Sequence, residues 1–195
     1  MSVKSDDIRL IEKTLAGDNE AFGELVLRYQ DRLCGTLVHM LGSFHDARDV
    51  AQEAFLSAFE KLGTFRKEAS FYSWLFRIAY NAAVTNRRKL KRRAGSLDAS
   101  YEQTGNEPAD NDPTLEPSHN LQTEEKIQQV QTALNQLAPD YRDSLILKEM
   151  EGMRYDEIAA VLGCPIGTVR SRIHRARLEL REILERMTEK EPETT

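Results

Sequence analysis

The sequence predicts an all-α fold, two small helical domains joined by a flexible acidic linker. Three observations carry this reading. Apolar residues recur at steps of three and four along most of the chain, no stretch shows the period-two alternation of a half-buried strand, and a polar, proline-bearing stretch divides the helical parts.

The first helix is predicted over residues 5–16, with Ile8, Ile11 and Leu15 on one face and Gly17 ending it. A second, over 20–41, carries Phe22, Leu25, Val26, Tyr29, Leu33, Leu37 and Met40. The third, over 46–62, buries Val50, Ala54, Phe55, Ala58 and Leu62 and turns Asp46, Asp49, Gln52, Glu53, Leu56 and Glu60 the other way. By periodicity alone that acidic face reads as a solvated surface with one stray leucine; a protein-docking surface is the alternative.

The fourth helix, 71–91, starts after Ser70, a residue that caps helices by accepting a bond from a free backbone amide. Phe71, Trp74, Leu75, Ile78 and Ala82 form its predicted core stripe, and Ser73, Arg77, Asn81, Thr85 and Arg88 a polar ridge flanked by Tyr72, Phe76 and Tyr80. Hydrogen-bonding groups beside aromatic rings suit unpaired bases, since stacking on a ring is worth about 1–3 kcal/mol per base. Aromatics at helical spacing also build cores, and Phe71 and Trp74 are expected to be structural. The preceding loop, Phe65-Arg66-Lys67-Glu68-Ala69-Ser70, is short, mixed in charge and suited to cup an extruded base.

These helices make one domain, residues 1–93. Residues 94–123 are the linker: three prolines lie among Ser, Asn, Asp and Glu, a composition too polar to bury a core. The second domain, 124–195, holds a helix ending near Leu137, another started by Pro139 and ended near Gly152, and two more from Tyr155 onward.

That last pair is the most informative segment. Tyr155, Ile158, Ala159 and Leu162 recur at helical spacing, and the small Ala159 lets a second helix cross closely. Gly163 stops the helix, with Cys164 predicted as the next N-cap and Pro165 at the first helical position. In the following helix Val169, Ile173, Ala176 and Leu180 face inward, which turns Ser171, His174 and Arg175 outward with Arg170, Arg172 and Arg177 on the flanks. This is a helix-turn-helix, whose second helix meets base edges near its start while flanking cations meet phosphates. Arg170, Ser171, His174 and Arg175 are the base-reading candidates. The plainer alternative is a solvated helix whose arginines pair with Glu179, Glu182 and Glu185. Those acids follow Arg177, so the arginines before it have few local partners.

Charge distribution supports nucleic-acid binding where net charge does not. The 195-residue chain carries a formal charge of −5. Residues 87–93, Arg-Arg-Lys-Leu-Lys-Arg-Arg, and the helix from Arg170 to Arg186 are basic, while residues 94–125 contain eight acids and no Lys or Arg. With no apolar run of membrane-spanning length and no signal-peptide core near Met1, membrane insertion is excluded and a cytoplasmic location expected. Cys34 and Cys164 belong to no C-x-x-C pair, so neither a disulfide nor a zinc site is expected. The four histidines are scattered, no glycine-rich phosphate loop exists, and no carboxylate accompanies a nucleophile signature, so a non-enzyme without cofactor or metal is expected.

Asp49-Val-Ala-Gln-Glu-Ala-Phe-Leu-Ser-Ala-Phe59, Phe71-Tyr-Ser-Trp-Leu-Phe-Arg-Ile-Ala-Tyr-Asn81 and Gly163-Cys-Pro-Ile-Gly-Thr-Val-Arg-Ser-Arg172 together resemble bacterial RNA polymerase sigma factors of the sigma-70 family, in the short extracytoplasmic-function group. The resemblance covers nearly the whole chain outside the linker and tail. It implies a non-catalytic subunit that binds core RNA polymerase and directs promoter-specific initiation. On it, Asp46, Asp49, Gln52, Glu53 and Leu56 dock on the clamp helices of the polymerase largest subunit, which favours the docking reading of the third helix, and the flap is a second polymerase contact. Phe65, Arg66, Ser70, Tyr72, Arg77 and Asn81 capture a flipped base of the minus-10 element and hold the non-template strand, while Arg87, Arg88 and the cations to Arg93 grip adjoining backbone. Thr168, Arg170, Ser171, Arg172, His174, Arg175 and Arg177 read the minus-35 duplex. The linker matches the segment threading toward the RNA exit path, though it is longer and more acidic than the minimum. The family also implies an anti-sigma partner, and the tether a monomer when free. The residues alone leave open an independent repressor or activator of duplex operators and an enzyme acting on nucleic acid.

Overall fold

The computed structural model describes residues 3–97 and 121–188, with side chains over 5–88 and 127–188. Every regular element among them is helical: α1 Val3–Leu15, α2 Asn19–Leu41, α3 Phe44–Glu60, a 3-10 turn Leu62–Thr64, α4 Phe71–Leu97, α5 Leu121–Gln136, α6 Pro139–Glu149, α7 Tyr155–Leu162 and α8 Ile166–Thr188. The chain divides into two compact units between Ala109 and Asp110. Residues 94–97 of the expected linker continue α4 and residues 121–123 open α5; the stretch between them lies outside the described residues.

Local chemistry sets the helix ends in the N-terminal unit. Asp18 Oδ1 accepts from the Ala21 amide at 3.3 Å to start α2, and Gly42, at φ 73°, ends it in the left-handed conformation that costs glycine least. Ser43 Oγ then accepts from the Asp46 amide, so α3 begins at Phe44, two residues before the sequence reading. Ser70 caps α4 as expected, accepting from the Ser73 amide at 3.0 Å. Leu62 leaves α3 but stays buried in the 3-10 turn.

α4 packs chiefly on α3 and also touches α1 and α2. That packing widens its apolar face and rotates it from the expected stripe. Phe71, Tyr72, Leu75, Phe76, Ala79, Tyr80 and Ala83 are buried, whereas Trp74, Ile78 and Ala82 are only half-buried. α1 is clasped to α2 through Asp7, 3% exposed: Tyr29 Oη donates to one carboxylate oxygen and Arg28 Nη1 to the other, each at 2.6 Å. Burial, followed by the hydrogen bond to Asp7 and its charge, pushes the Tyr29 phenol well above its ordinary range.

In the C-terminal unit α8 packs on α5, α6 and α7, burying Val169, Ile173, Ala176 and Ile183. α7 buries Ile158 and Val161 rather than the whole Tyr155–Leu162 stripe the spacing suggested; Tyr155, Ala159 and Leu162 are half-exposed. α6 starts with Pro139 at its first turn and ends at Glu149, three residues before Gly152. Gly163, at φ 64°, caps α7 with its amide on the Ala159 carbonyl. Pro165 proves to be one residue earlier in the helical frame than predicted: its carbonyl accepts from Thr168 and Val169, which makes Pro165 itself the N-cap and Ile166 the first residue of α8.

Candidate nucleic-acid interface

The geometry of α8 follows from its burial pattern. With Val169, Ile173 and Ala176 turned into the core, Arg170, Ser171, His174, Arg175 and Arg177 stand exposed on the opposite side, and Thr168 is half-buried in the first turn. Ser171 Oγ donates to the Thr168 carbonyl at 2.9 Å, leaving its oxygen as an acceptor. The Arg170 guanidinium lies 5.7 Å from the centre of the Tyr155 ring, and Lys148 Nζ lies 5.1 Å from the same ring. Lys148 and Tyr155 were absent from the sequence candidates. Their signal was a lone aromatic at the start of α7, seven residues after a lysine.

The arginines before Arg177 were expected to have few local partners, and the partners that Arg172 and Arg175 meet are not local. The partners come from α6, far away in sequence. Arg172 donates to Asp140 and lies 3.7 Å from Cys164 Sγ, with its side chain 22% exposed. Arg175 Nη1 donates to Tyr141 Oη at 3.2 Å, and Arg177 Nε donates to Glu149 at 3.0 Å. These bonds raise the Arg175 and Arg177 guanidinium pKa further above its already high ordinary value, so both are cations at every accessible pH. Arg172 is therefore a brace between α6 and α8 first, and only its remaining donors face outward.

In the N-terminal unit Arg77, Asn81, Thr85 and Arg88 are exposed on α4, as the polar ridge requires, and Arg66 is exposed in the preceding loop. Phe65 is half-buried, its ring 5.4 Å from Trp74 and 6.0 Å from Phe71, and Ser70 shares a hydrogen bond with Ser73 at 2.8 Å. Lys67 adopts φ 61° and reaches Glu12 of α1 at 2.6 Å, tying the loop to that helix. Two candidates are corrected. Tyr72 is 5% exposed and lies in the core beside Tyr29 and Phe76 with Arg32 4.2 Å above its ring, so no base can stack on it. Arg87 is half-buried and donates to the Met40 carbonyl at 2.6 Å, closing the C-terminal end of α2. The side chains of residues 89–93, the rest of the basic run, lie outside the described residues.

On α3, Asp49, Gln52, Glu53 and Leu56 are exposed and Asp46 is half-buried in the first turn. Leu56 is 62% exposed. With Gln52 it borders a groove of about 550 Å³ between α2 and α3, lined by the apolar Val26, Phe44 and Phe55 and the polar Gln30, Asp31 and Arg48, with Cys34 beside them. Burial raises the Cys34 thiol pKa, followed by the nearby Asp31 charge. A second groove, apolar and about 620 Å³, runs between α5, α6 and α8 over Val130, Leu134, Met150, Leu180 and Leu184. Sequence reading missed it because its walls come from three helices. Among the described residues no group of three or more His, Cys, Asp or Glu is placed to hold a metal, and no helix is long and apolar enough to cross a membrane.

An acidic helix bordering a groove, a polar ridge on α4 and a cation-studded helix after a left-handed glycine turn are the surfaces of a helical transcription factor. Comparison with known proteins makes the class definite. The Sigma-70 region 2 family model matches residues 25–93, and the Sigma-70, region 4 model matches residues 127–180. The RNA polymerase sigma-H factor of Pseudomonas aeruginosa is 40% identical over 181 residues, spanning 91% of this chain and 93% of that protein. The ECF RNA polymerase sigma-E factor of Escherichia coli is 38% identical over 179 residues, with 91% and 93% covered. Among solved structures, the sigma factor RpoE in complex with the anti-sigma factor NepR from Bartonella quintana aligns with TM-score 0.67 at 29% identity, covering 84% of this chain and 96% of that one. CnrH in complex with the cytosolic domain of CnrY aligns with TM-score 0.66 at 27% identity, covering 92% and 97%. The chain belongs to the sigma-70 family of RNA polymerase sigma factors, in its extracytoplasmic-function group, and it directs promoter-specific transcription initiation.

Proposed function

We propose that residues 1–93 dock on core polymerase and hold melted minus-10 DNA, that residues 124–195 read the minus-35 duplex, and that the intervening acidic segment links the two. The single observation that carries this reading is the exposed band Arg170, Ser171, His174 and Arg175 at the start of α8, where a helix-turn-helix meets base edges. Arg177 serves the flanking backbone and Arg172 holds the helix in register. Arg66, Arg77, Asn81 and Arg88 are the groups of the N-terminal unit that face single-stranded DNA, with Phe65 and Ser70 shaping the loop that receives a flipped base.

Asp49, Gln52, Glu53 and Leu56, with Asp46 at the edge, form the face for the clamp helices of the largest subunit. Its acids favour a basic partner and its groove accepts apolar side chains. The groove over Val130, Met150 and Leu184 suits the apolar face of a helix, which makes it the seat for the flap. An anti-sigma partner is supported by the neighbour RpoE, solved with the anti-sigma factor NepR. The protein acts in the cytoplasm and without catalysis of its own. Run-off transcription with purified core polymerase tests the reading: specific transcripts are expected only when both are present. Tight operator binding by the free chain with no transcripts would make it an independent repressor or activator instead.

A further inference from the structure

We infer that Tyr141 is a specificity-determining positioning residue, which holds Arg175 in the orientation that reads one base pair of the minus-35 element. The inference rests on the base-reading role proposed for Arg175. Tyr141 is half-buried in the first turn of α6, and its hydroxyl oxygen accepts from Arg175 Nη1 at 3.2 Å. One residue earlier, Asp140 accepts from Arg172, one turn before Arg175 on α8. Consecutive residues of α6 therefore grip arginines at i and i+3 of α8, and the second grip is on a side chain otherwise open to solvent.

The two grips differ in chemistry, and the difference gives them different roles. Asp140 is an anion and neutralises Arg172, which fixes α8 against α6. Tyr141 is a neutral acceptor. It takes up one of the five N–H donors of the guanidinium and leaves its charge, and the donors needed for a bidentate contact to guanine, available. A long arginine loses much rotamer freedom on binding, so an orientation already held in the free protein favours the matching base over a mismatch. A phosphate contact would gain little from such a hold, because backbone is available at every position.

The test uses holoenzyme reconstituted from core polymerase and the full chain, challenged with a promoter library randomised over the minus-35 element; base preference at each position is read from the bound fraction. Arg175→Ala is expected to flatten preference at one position by about tenfold or more. Tyr141→Phe, which keeps the ring, is expected to lower preference at that same position by roughly three- to tenfold and leave the other positions and the thermal midpoint unchanged. A Tyr141→Phe profile equal to that of the parent overturns the positioning role while Arg175 remains a reader. Equal weakening at all positions also overturns it, as a general structural effect. If Arg175→Ala leaves every position as it was, the base-reading assignment fails, and the positioning role with it.

Discussion

On α3 the acidic side chains stand in solvent, Asp49 61% exposed with His45 3.7 Å away, whereas on α8 three arginines lie against groups of α6. The N-terminal unit has a continuous apolar interior, including the fully buried Phe76, Leu75, Leu33 and Leu37, and carries the groups proposed for docking on an outer face. The C-terminal unit uses the cations proposed to meet DNA partly as struts. The exposed charges of α3 are thus expected to be dispensable for folding, while those of α8 also brace the unit. Each of α4 and α8 contacts three other helices, but α4 buries large side chains such as Phe71, Leu75 and Phe76, whereas α8 buries Val169, Ile173, Ala176 and Ile183 and adds bonds from Arg172, Arg175 and Arg177 to α6.

The largest effect should come from reversing the charges of α3. Asp49→Lys combined with Glu53→Lys is expected to weaken binding to core polymerase at least a hundredfold, since like charges set opposite a basic partner cost several kcal/mol. Co-elution with core enzyme measures it, and an unchanged melting curve would uphold the separation of docking from folding; a lowered one would break the contrast drawn above. Next, Phe76→Ala should cost about 3–5 kcal/mol in unfolding of the N-terminal unit. Amide exchange should then rise in α1 to α4 and stay as it was in α6 to α8.

A smaller effect involves alkaline pH. The folded Tyr29 phenol is raised, so its contribution is fully present below the ordinary phenol pKa of about 10 and is lost as pH climbs through the raised folded value. Denaturant midpoints of the N-terminal unit should decline above about pH 10, and Tyr29→Phe should be less stable at neutral pH by about 1–3 kcal/mol because Asp7 stays buried with one partner fewer. A slope unchanged in Tyr29→Phe would assign the decline to other groups. Smallest of all, Asp140→Asn should lower stability of the C-terminal unit by no more than about 1 kcal/mol, the usual worth of a pair this exposed. A greater loss would show that the α6 strut matters more than solvent screening allows.

Helix identity was legible wherever a local signal existed. Ser70, Gly163 and Pro139 act at helix ends because their chemistry is a matter of one turn, and the outward face of α8 follows from the inward spacing of Val169, Ile173 and Ala176. Long-range packing was not legible. Tyr72 looked available beside a polar ridge, but Tyr29 and Arg32 of α2 cover its ring; Arg87 looked like one more cation of a basic run, but it finds the open carbonyl of Met40, 47 residues earlier in the sequence. The Arg172–Asp140 pair, spanning 32 positions, was hidden from any argument based on i,i+4 neighbours. Leu56 gained its meaning only once α2 supplied the opposite wall of its groove.

The bond from Lys67 to Glu12 links the loop before α4 to the opening helix of the chain. An affinity tag fused ahead of Val3 that frays α1 would remove this exposed ion pair, worth at most about 1 kcal/mol, from a lysine at positive φ. The conformation of this loop in N-terminally tagged protein would then report on the tag as well as on the loop's own sequence.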